Sequence, residues 1–148
     1  MKNFLEIRQI KELIDKATAA RGFAYAPYSN FLVGAALLTC KNQIYTGCNI
    51  ESASYSPSNC AERTAFFKAV SEGERDFLAI AIVGGAKLSP VKQLCPPCGV
   101  CRQVMMEFCD VENFKIILGI SSEHYSIFNL IELLPMGFGP KNLALEGN

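Results

Sequence analysis

The chain has no net charge, no tryptophan and no apolar run long enough to cross a membrane. Its 148 residues contain 14 Lys plus Arg and 14 Asp plus Glu, and this balance excludes a strongly basic nucleic-acid binder. The longest uncharged apolar run, Phe31 to Leu38, is far shorter than the roughly 20 residues that a membrane helix needs. Half of the residues are hydrophobic, which excludes a disordered chain. We therefore expect neither a nucleic acid nor a membrane among its partners.

Cysteine, in contrast, is abundant, with seven residues in the chain. An odd number of thiols is not typical of a secreted disulfide scaffold, which pairs all of them. Met1 is followed by Lys2, Asn3 and Glu6, without the apolar segment of a signal peptide. We therefore expect a reducing, cytoplasmic location, where cysteines serve as free thiols, catalytic groups or metal ligands.

Hydrophobic periodicity divides the chain into alternating helices and strands. The predicted helices are 4–20, 61–73, 100–108 and a short turn at 129–134. The predicted strands are 31–38, 43–48, 77–83, 114–120 and 125–128. This alternation predicts a layered α/β fold, and the length predicts a single domain over residues 1–148.

The lengths of the connections predict the directions of the strands. Lys41-Asn42 is short enough for a hairpin, so strands one and two should be antiparallel. Helices separate strands two and three, and strands three and four, and such connections can be parallel crossovers. Only Ser121 to His124 separate strands four and five. Since a parallel crossover needs a dozen residues or more, strand five should run antiparallel to strand four.

Two cysteine motifs stand at the starts of predicted helices: Cys60-Ala61-Glu62-Arg63 and Pro97-Cys98-Gly99-Val100-Cys101. Cys98 and Cys101 lie one helical turn apart, so their sulfurs face the same side. Together with Cys60 they could hold a tetrahedral Zn²⁺ and leave its fourth position open for chemistry. Helix N-termini favour the thiolate form that binds metal.

Glu62 follows Cys60 by two positions. At mid-helix this offset would point the two side chains about 200° apart, but at a helix cap both can face one pocket. A carboxylate beside a metal-activated water can move protons during hydrolysis. This pair of motifs, with Cys in place of His as the first ligand, is typical of the zinc nucleobase deaminases.

Two other interpretations use the same cysteines. Cys95, Cys98 and Cys101 form a C-x₂-C-x₂-C run, which with Cys60 could be a Cys₄ zinc or iron–sulfur module. That interpretation gives no role to Glu62. A cysteine protease needs a histidine base, and nothing marks the single histidine, His124, for that role.

Beyond these motifs, the chain resembles the small, homotetrameric, zinc-dependent cytidine deaminases from about Tyr28 to Leu143. The matching segments include Tyr28-Ser29-Asn30-Phe31, Val33-Gly34-Ala35-Ala36-Leu37, Gly47-Cys48-Asn49-Ile50-Glu51, Cys60 to Ala65, Pro97 to Gln103, Leu133-Leu134-Pro135 and Phe138-Gly139-Pro140. The resemblance implies a three-layer α/β/α domain with a mixed five-stranded sheet, one Zn²⁺ per chain and a homo-oligomer, a tetramer in this family's pattern. Val100 departs from the family, which often has alanine between the two cysteines.

The same resemblance implies the role of each site residue. The zinc ligands are Cys60, Cys98 and Cys101; Glu62 moves protons, and Arg63 contacts the thiolates. The implied substrate-binding residues are Phe31, Asn49, Glu51, Ala53, Tyr55, Ala61 and Phe138. Among these, Asn49 and Glu51 would bond the ribose hydroxyls and Phe31 would pack on the pyrimidine ring. Ala53, Tyr55 and Phe138 would reach a neighbouring subunit's site.

The implied activity is hydrolytic deamination of cytidine and 2′-deoxycytidine, free nucleosides, to the corresponding uridines and ammonia. The preference between ribose and deoxyribose stays open. A blasticidin-S-type deaminase is the alternative of similar motifs, although the Asn49-x-Glu51 pair is not expected there. A non-catalytic Cys₄ zinc module is the alternative from another class. The remaining cysteines, Cys40, Cys48, Cys95 and Cys109, are expected to be mostly small buried hydrophobes.

Overall fold

A computed structural model of the chain describes residues 4–143. Its strands are β1 (Phe31–Thr39), β2 (Ile44–Cys48), β3 (Phe77–Ala86), β4 (Lys115–Ser121) and β5 (His124–Asn129). Its helices are α1 (Ile7–Arg21), α2 (Ala61–Ser71), α3 (Gly99–Phe108) and α4 (Leu130–Leu133), followed by a 3₁₀ turn at Pro140–Leu143. The predicted domain, 1–148, includes residues 1–3 and 144–148, which lie outside the described residues.

The strands form one mixed sheet in the order β2-β1-β3-β4-β5. β1 pairs antiparallel with both β2 and β3, β3 pairs parallel with β4, and β4 pairs antiparallel with β5. Every predicted direction is therefore confirmed, including the short turn that reverses the chain between β4 and β5. β2 and β3 point the same way without being neighbours, because the crossover through α2 passes over β1.

Several predicted boundaries are wrong: α1 begins at Ile7 and not at residue 4, and α2 ends at Ser71 and not at residue 73. β3 does not end at Val83 but continues through Gly84 and Gly85, which pair with Val33 and Leu32 of β1. Pairing with a neighbouring strand outweighs the weak strand preference of glycine. The last predicted helix, 129–134, is only the single turn Leu130–Leu133, because Asn129 is still the end of β5.

Helices cover both faces of the sheet, which confirms the predicted three-layer α/β/α architecture. On one face, Leu13, Ile14 and Ala17 of α1 pack against inward side chains of β1, β3 and β4. On the other face, Phe66 of α2 and Met105 of α3 pack with the opposite side chains of the same strands. Within residues 4–143, no helix has both the length and the apolarity of a membrane span.

Two glycines let helices lie directly on the strands. A Cβ atom at Gly34 of β1 would stand 1.9 Å from the backbone oxygen of Ala17 in α1. A Cβ atom at Gly47 of β2 would stand 2.4 Å from the backbone oxygen of Ala61 at the start of α2. Any larger residue would push the helix away, so the position of the α2 N-terminus depends on the missing side chain at Gly47.

Candidate active site

The N-termini of α2 and α3 lie at the same edge of the sheet. β2 and β3 point the same way, and each is followed by a loop and then by one of these helices. Cys60 is the N-cap residue of α2, and Cys98 is the N-cap residue of α3. Cys101 follows in the first turn of α3 and is buried. The fold therefore brings the three predicted ligands together, although 38 positions separate Cys60 from Cys98.

The spacing of the three sulfurs fits a tetrahedral metal site. The Sγ atoms of Cys60 and Cys98 are 3.7 Å apart, and those of Cys98 and Cys101 are 3.5 Å apart. Thiolates bound to one tetrahedral Zn²⁺ at about 2.3 Å would be separated by about 3.8 Å. Among the described residues, these three form the one group of His, Cys, Asp or Glu side chains that could hold a metal ion. Cys95 lies outside this group, so the fourth ligand of a Cys₄ module is missing.

The surroundings of the cluster stabilise thiolate charge. The pKa of Cys60 is lowered to about 5, first by a hydrogen bond from the Cys101 thiol and then, against the effect of burial, by Arg63. Arg63 Nη2 donates to Cys60 Sγ at 3.4 Å. The pKa of Cys101 is raised because its thiol donates to Cys60. The backbone N–H of Cys101 also donates to Cys98 Sγ at 3.5 Å, as expected at a helix N-terminus.

Glu62 lies against this cluster and is only 4% exposed. Cys101 Sγ is 3.6 Å from Glu62 Oε2. Cys60 has extended backbone angles (φ −77°, ψ 156°) because it caps the helix, and this explains how Cys60 and Glu62 face one pocket despite their two-residue offset. Burial raises the pKa of Glu62 to about 7. A carboxyl group in such a place can both accept and return a proton near neutral pH.

The side chain of Asn49 extends the sheet beyond the end of β2. Its Oδ1 accepts from the backbone N–H of Val33, and its Nδ2 donates to the backbone oxygen of Phe31, each at 2.8 Å. The amide therefore replaces one further residue of a strand alongside β1. Asn49 has a structural role that the sequence did not indicate, and it still has one N–H and one oxygen lone pair for a ligand.

Glu51 is held by the loop that precedes β1. Its carboxylate accepts from the backbone N–H groups of Tyr28 and Ser29, the latter at 3.1 Å, and from the Ser29 hydroxyl. These hydrogen bonds, led by that of the hydroxyl, lower the pKa of Glu51. Sequence reasoning included Ser29 in a matching segment without giving it a role, because the contact spans 22 positions.

The other predicted substrate residues divide into two groups. Phe31, 42% exposed at the start of β1, lines a cavity of about 270 Å³ together with Gly84 to Ala86 and the loop 89–94, and Ala61 is buried at the start of α2. Ala53, Tyr55 and Phe138 are exposed. Gln103 of α3, another residue without a predicted role, holds the segment of Phe138 by donating to its backbone oxygen at 2.8 Å.

Comparison with known proteins agrees with this geometry. A family model described as the cytidine and deoxycytidylate deaminase zinc-binding region matches residues 7–117. The chain belongs to the cytidine deaminase family. The predicted zinc cofactor of this deaminase is thereby confirmed, since the matched region is zinc-binding and the cysteine triad can hold a metal ion.

Relatives of this cytidine deaminase match over nearly their whole length. It is 50% identical to a cytidine deaminase of Halalkalibacterium halodurans, over 88% of this chain and 95% of that protein. It is 46% identical to one of Sporosarcina psychrophila, over 91% and 95% of the two chains. The crystal structure of cytidine deaminase from Burkholderia pseudomallei superposes with a TM-score of 0.77 at 45% identity, covering 86% of this chain and 97% of that one. These matches do not favour the blasticidin-S-type or Cys₄-module interpretations.

Proposed function

We propose that the chain catalyses the hydrolytic deamination of cytidine and 2′-deoxycytidine in pyrimidine salvage. The observation that carries the proposal is a buried carboxyl group, Glu62, placed against three cysteines that suit a single Zn²⁺. A structural zinc module has no use for a buried carboxyl group at its metal ligands, whereas hydrolysis requires a group that moves protons.

In this proposal Cys60, Cys98 and Cys101 hold the ion. When bound, zinc supplies Lewis-acid chemistry that makes water nucleophilic near neutral pH. Glu62 takes a proton from the water that adds to C4 of the pyrimidine and gives it to N3. It then moves the remaining proton of the added water, from the hydroxyl now on C4, to the exocyclic amino nitrogen. As the C4–N bond breaks, the C4 carbonyl forms and ammonia leaves. Arg63 offsets part of the negative charge that three thiolates bring to a divalent ion.

Substrate binding is assigned to the residues around this centre. Phe31 would pack on the pyrimidine ring, and the backbone at Ala61 would border it. Asn49 and Glu51 would bond the ribose hydroxyls, which their remaining polar capacity and their fixed positions support. We expect the chain to act as a single domain over residues 1–148 in a reducing cytoplasm, where the four cysteines outside the zinc site stay free thiols.

We further propose that the active unit is a homo-oligomer, a tetramer, in which Ala53, Tyr55 and Phe138 of one subunit complete the site of another. Large aromatic side chains that project from loops are typical of surfaces that bind partners. Sedimentation of the active enzyme tests this point, since a fully active monomer would exclude shared sites.

Ammonia release from cytidine, measured together with zinc content, tests the function directly. We expect about one zinc per chain and turnover of cytidine and 2′-deoxycytidine. Blasticidin S is the control substrate, because its turnover in place of cytidine would favour the alternative deaminase. A chain that binds zinc and releases no ammonia from any of the three would be a binding module, and iron in place of zinc would overturn the site assignment.

A further inference from the structure

Arg21, the last residue of α1, connects that helix to two strands at once. Its Nε donates to the backbone oxygen of Leu32 in β1 at 3.0 Å. Its Nη2 donates to the backbone oxygens of Gly85 and Ala86 in β3, at 2.9 and 3.0 Å. Leu32 and Gly85 are directly opposite each other in the β1–β3 pair. One guanidinium group therefore bridges both strands where their pairing ends.

The close approach of α1 to β1 makes this contact possible. The Cβ position of Gly34 would be 2.4 Å from the backbone nitrogen of Arg21, so the end of the helix rests directly on the strand. From there the side chain lies along the sheet and reaches all three carbonyl oxygens. A planar guanidinium with several fixed N–H groups suits three such acceptors, whereas the ammonium of a lysine has no such fork.

The segment of β1 that Arg21 holds is also held from its other edge. β2 ends at Cys48, and beyond it the side chain of Asn49 bonds the backbone of Phe31 and Val33. Phe31 to Val33 is thus fixed by Asn49 on one edge and by β3 and Arg21 on the other. Loosening the second edge would move the backbone groups that position the Asn49 amide.

The strand ends that Arg21 joins also line a cavity at this end of the sheet. Phe31 and the glycines Gly84 and Gly85 line the cavity of about 270 Å³. The side chain of Cys95 packs directly over Gly84, and Cys95 stands three positions before the ligand Cys98. The strand ends that Arg21 joins therefore border the cavity that Phe31 lines, and Gly84 of β3 contacts the loop that leads to Cys98.

We propose that Arg21 is a positioning residue for this site: it fixes the ends of β1 and β3, and through them Phe31 and Asn49, so that it controls the affinity for the nucleoside rather than the chemical step. This inference rests on the proposed function. Arg21 itself lies on the far side of the strands from the reacting atoms, since it belongs to α1, while Cys60 and Glu62 belong to α2 on the opposite face.

The test compares Arg21→Ala and Arg21→Lys with Arg8→Ala, an exposed arginine of the same helix. We expect Arg21→Ala to raise KM for cytidine about tenfold while kcat stays within about twofold and zinc content is unchanged. Arg21→Lys should be intermediate and would decide the question if the alanine variant did not fold. Millimolar guanidinium should partly restore the KM of Arg21→Ala, and Arg8→Ala should behave like the unaltered enzyme.

Hydrogen exchange gives a readout that does not depend on activity. Backbone amides of 31–34 and 84–86 should exchange faster in Arg21→Ala than in the unaltered protein. In Arg8→Ala their exchange rates should not change. Unaltered KM in both Arg21 variants, or a fall in kcat and zinc content with KM unchanged, would overturn the role of Arg21 alone. Absence of ammonia release by the unaltered chain would instead refute the proposed function, so the two failures are distinguishable.

Discussion

Two side chains at the cysteine cluster differ sharply in exposure from two on the surrounding loops, although Cys98 itself is exposed. Cys101 and Glu62 are 1% and 4% exposed, whereas Tyr55 and Phe138 are 72% and 60% exposed. The first pair lies at helix N-termini packed on the central sheet. The second pair lies on connections outside the helices and strands.

This difference separates two tasks of the proposed enzyme. The groups that perform chemistry need a fixed geometry, which the packed helix N-termini of one chain supply. The aromatic side chains assigned to a neighbouring site, Tyr55 and Phe138, stay mostly exposed among residues 4–143. The proposal accordingly gives the chemical groups to one chain and divides the binding site between chains, and the predictions below test these two parts.

Removing the buried zinc ligand should have the largest effect on activity. We expect Cys101→Ala to lose its zinc and to show only background activity, because two thiolates cannot replace a three-ligand site. Cys95→Ala is the matched control, since Cys95 is nearby in sequence but outside the triad, and it should keep both zinc and activity. A zinc-free Cys95→Ala protein would support the Cys₄ module. Metal analysis and ammonia release are the measurements.

Replacing the carboxyl group should separate metal binding from chemistry. Glu62→Gln keeps the shape and burial of the side chain but cannot move protons, so kcat should fall by about 10² to 10⁴ with zinc content unchanged. Glu107→Gln, an exposed glutamate of α3, is the control. An active Glu62→Gln enzyme would exclude the proposed proton transfers.

Replacing the exposed aromatic side chains should have a smaller effect, which is on the KM for cytidine. Tyr55→Ala and Phe138→Ala should each raise KM about tenfold with little change in kcat, whereas Leu88→Ala, also highly exposed, should change neither.

Co-expression tests whether these aromatic residues act between subunits. At cytidine concentrations well below KM, Phe138→Ala chains combined with Glu62→Gln chains should form hybrid oligomers that are more active per chain than either variant alone. In some of their sites an intact Glu62 of one chain meets an intact Phe138 of another. Activity equal to the sum of the two separate variants would indicate self-contained sites.

The smallest predicted effect concerns Glu51 and its loop. Because its folded pKa lies below the ordinary value of 4.5, the stabilisation from Ser29 and Tyr28 is fully present above pH 4.5 and is lost as pH falls through the lowered pKa. Ser29→Ala removes the leading cause, so the pKa of Glu51 should rise towards 4.5. A carbon-13 NMR titration of the glutamate carboxyls measures this shift, with Ser122→Ala as control. An unchanged Glu51 pKa would contradict the contact.

Much of the fold was predictable because local patterns agree with the tertiary arrangement. Continuous apolar runs predicted the buried strands, and connection lengths predicted their directions. The prediction failed at Gly84 and Gly85, which look like a break in the sequence but belong to β3. Their conformation is decided by pairing with β1, a contact between residues that are distant in sequence.

The residues to which we assign the chemistry are recognisable in the sequence alone: three thiols at two helix starts and a glutamate two positions after the first. Such residues are informative because metal ligands and proton carriers must be of a few specific types at a few specific spacings. The tertiary structure alone shows how the start of β1 and the end of β3 are held together. The contact between Arg21 and Gly85 spans 64 positions, and the contact between Asn49 and Val33 spans 16. No local sequence pattern indicates such contacts, because a side chain can bond a distant backbone group wherever it is long enough and has a free donor or acceptor.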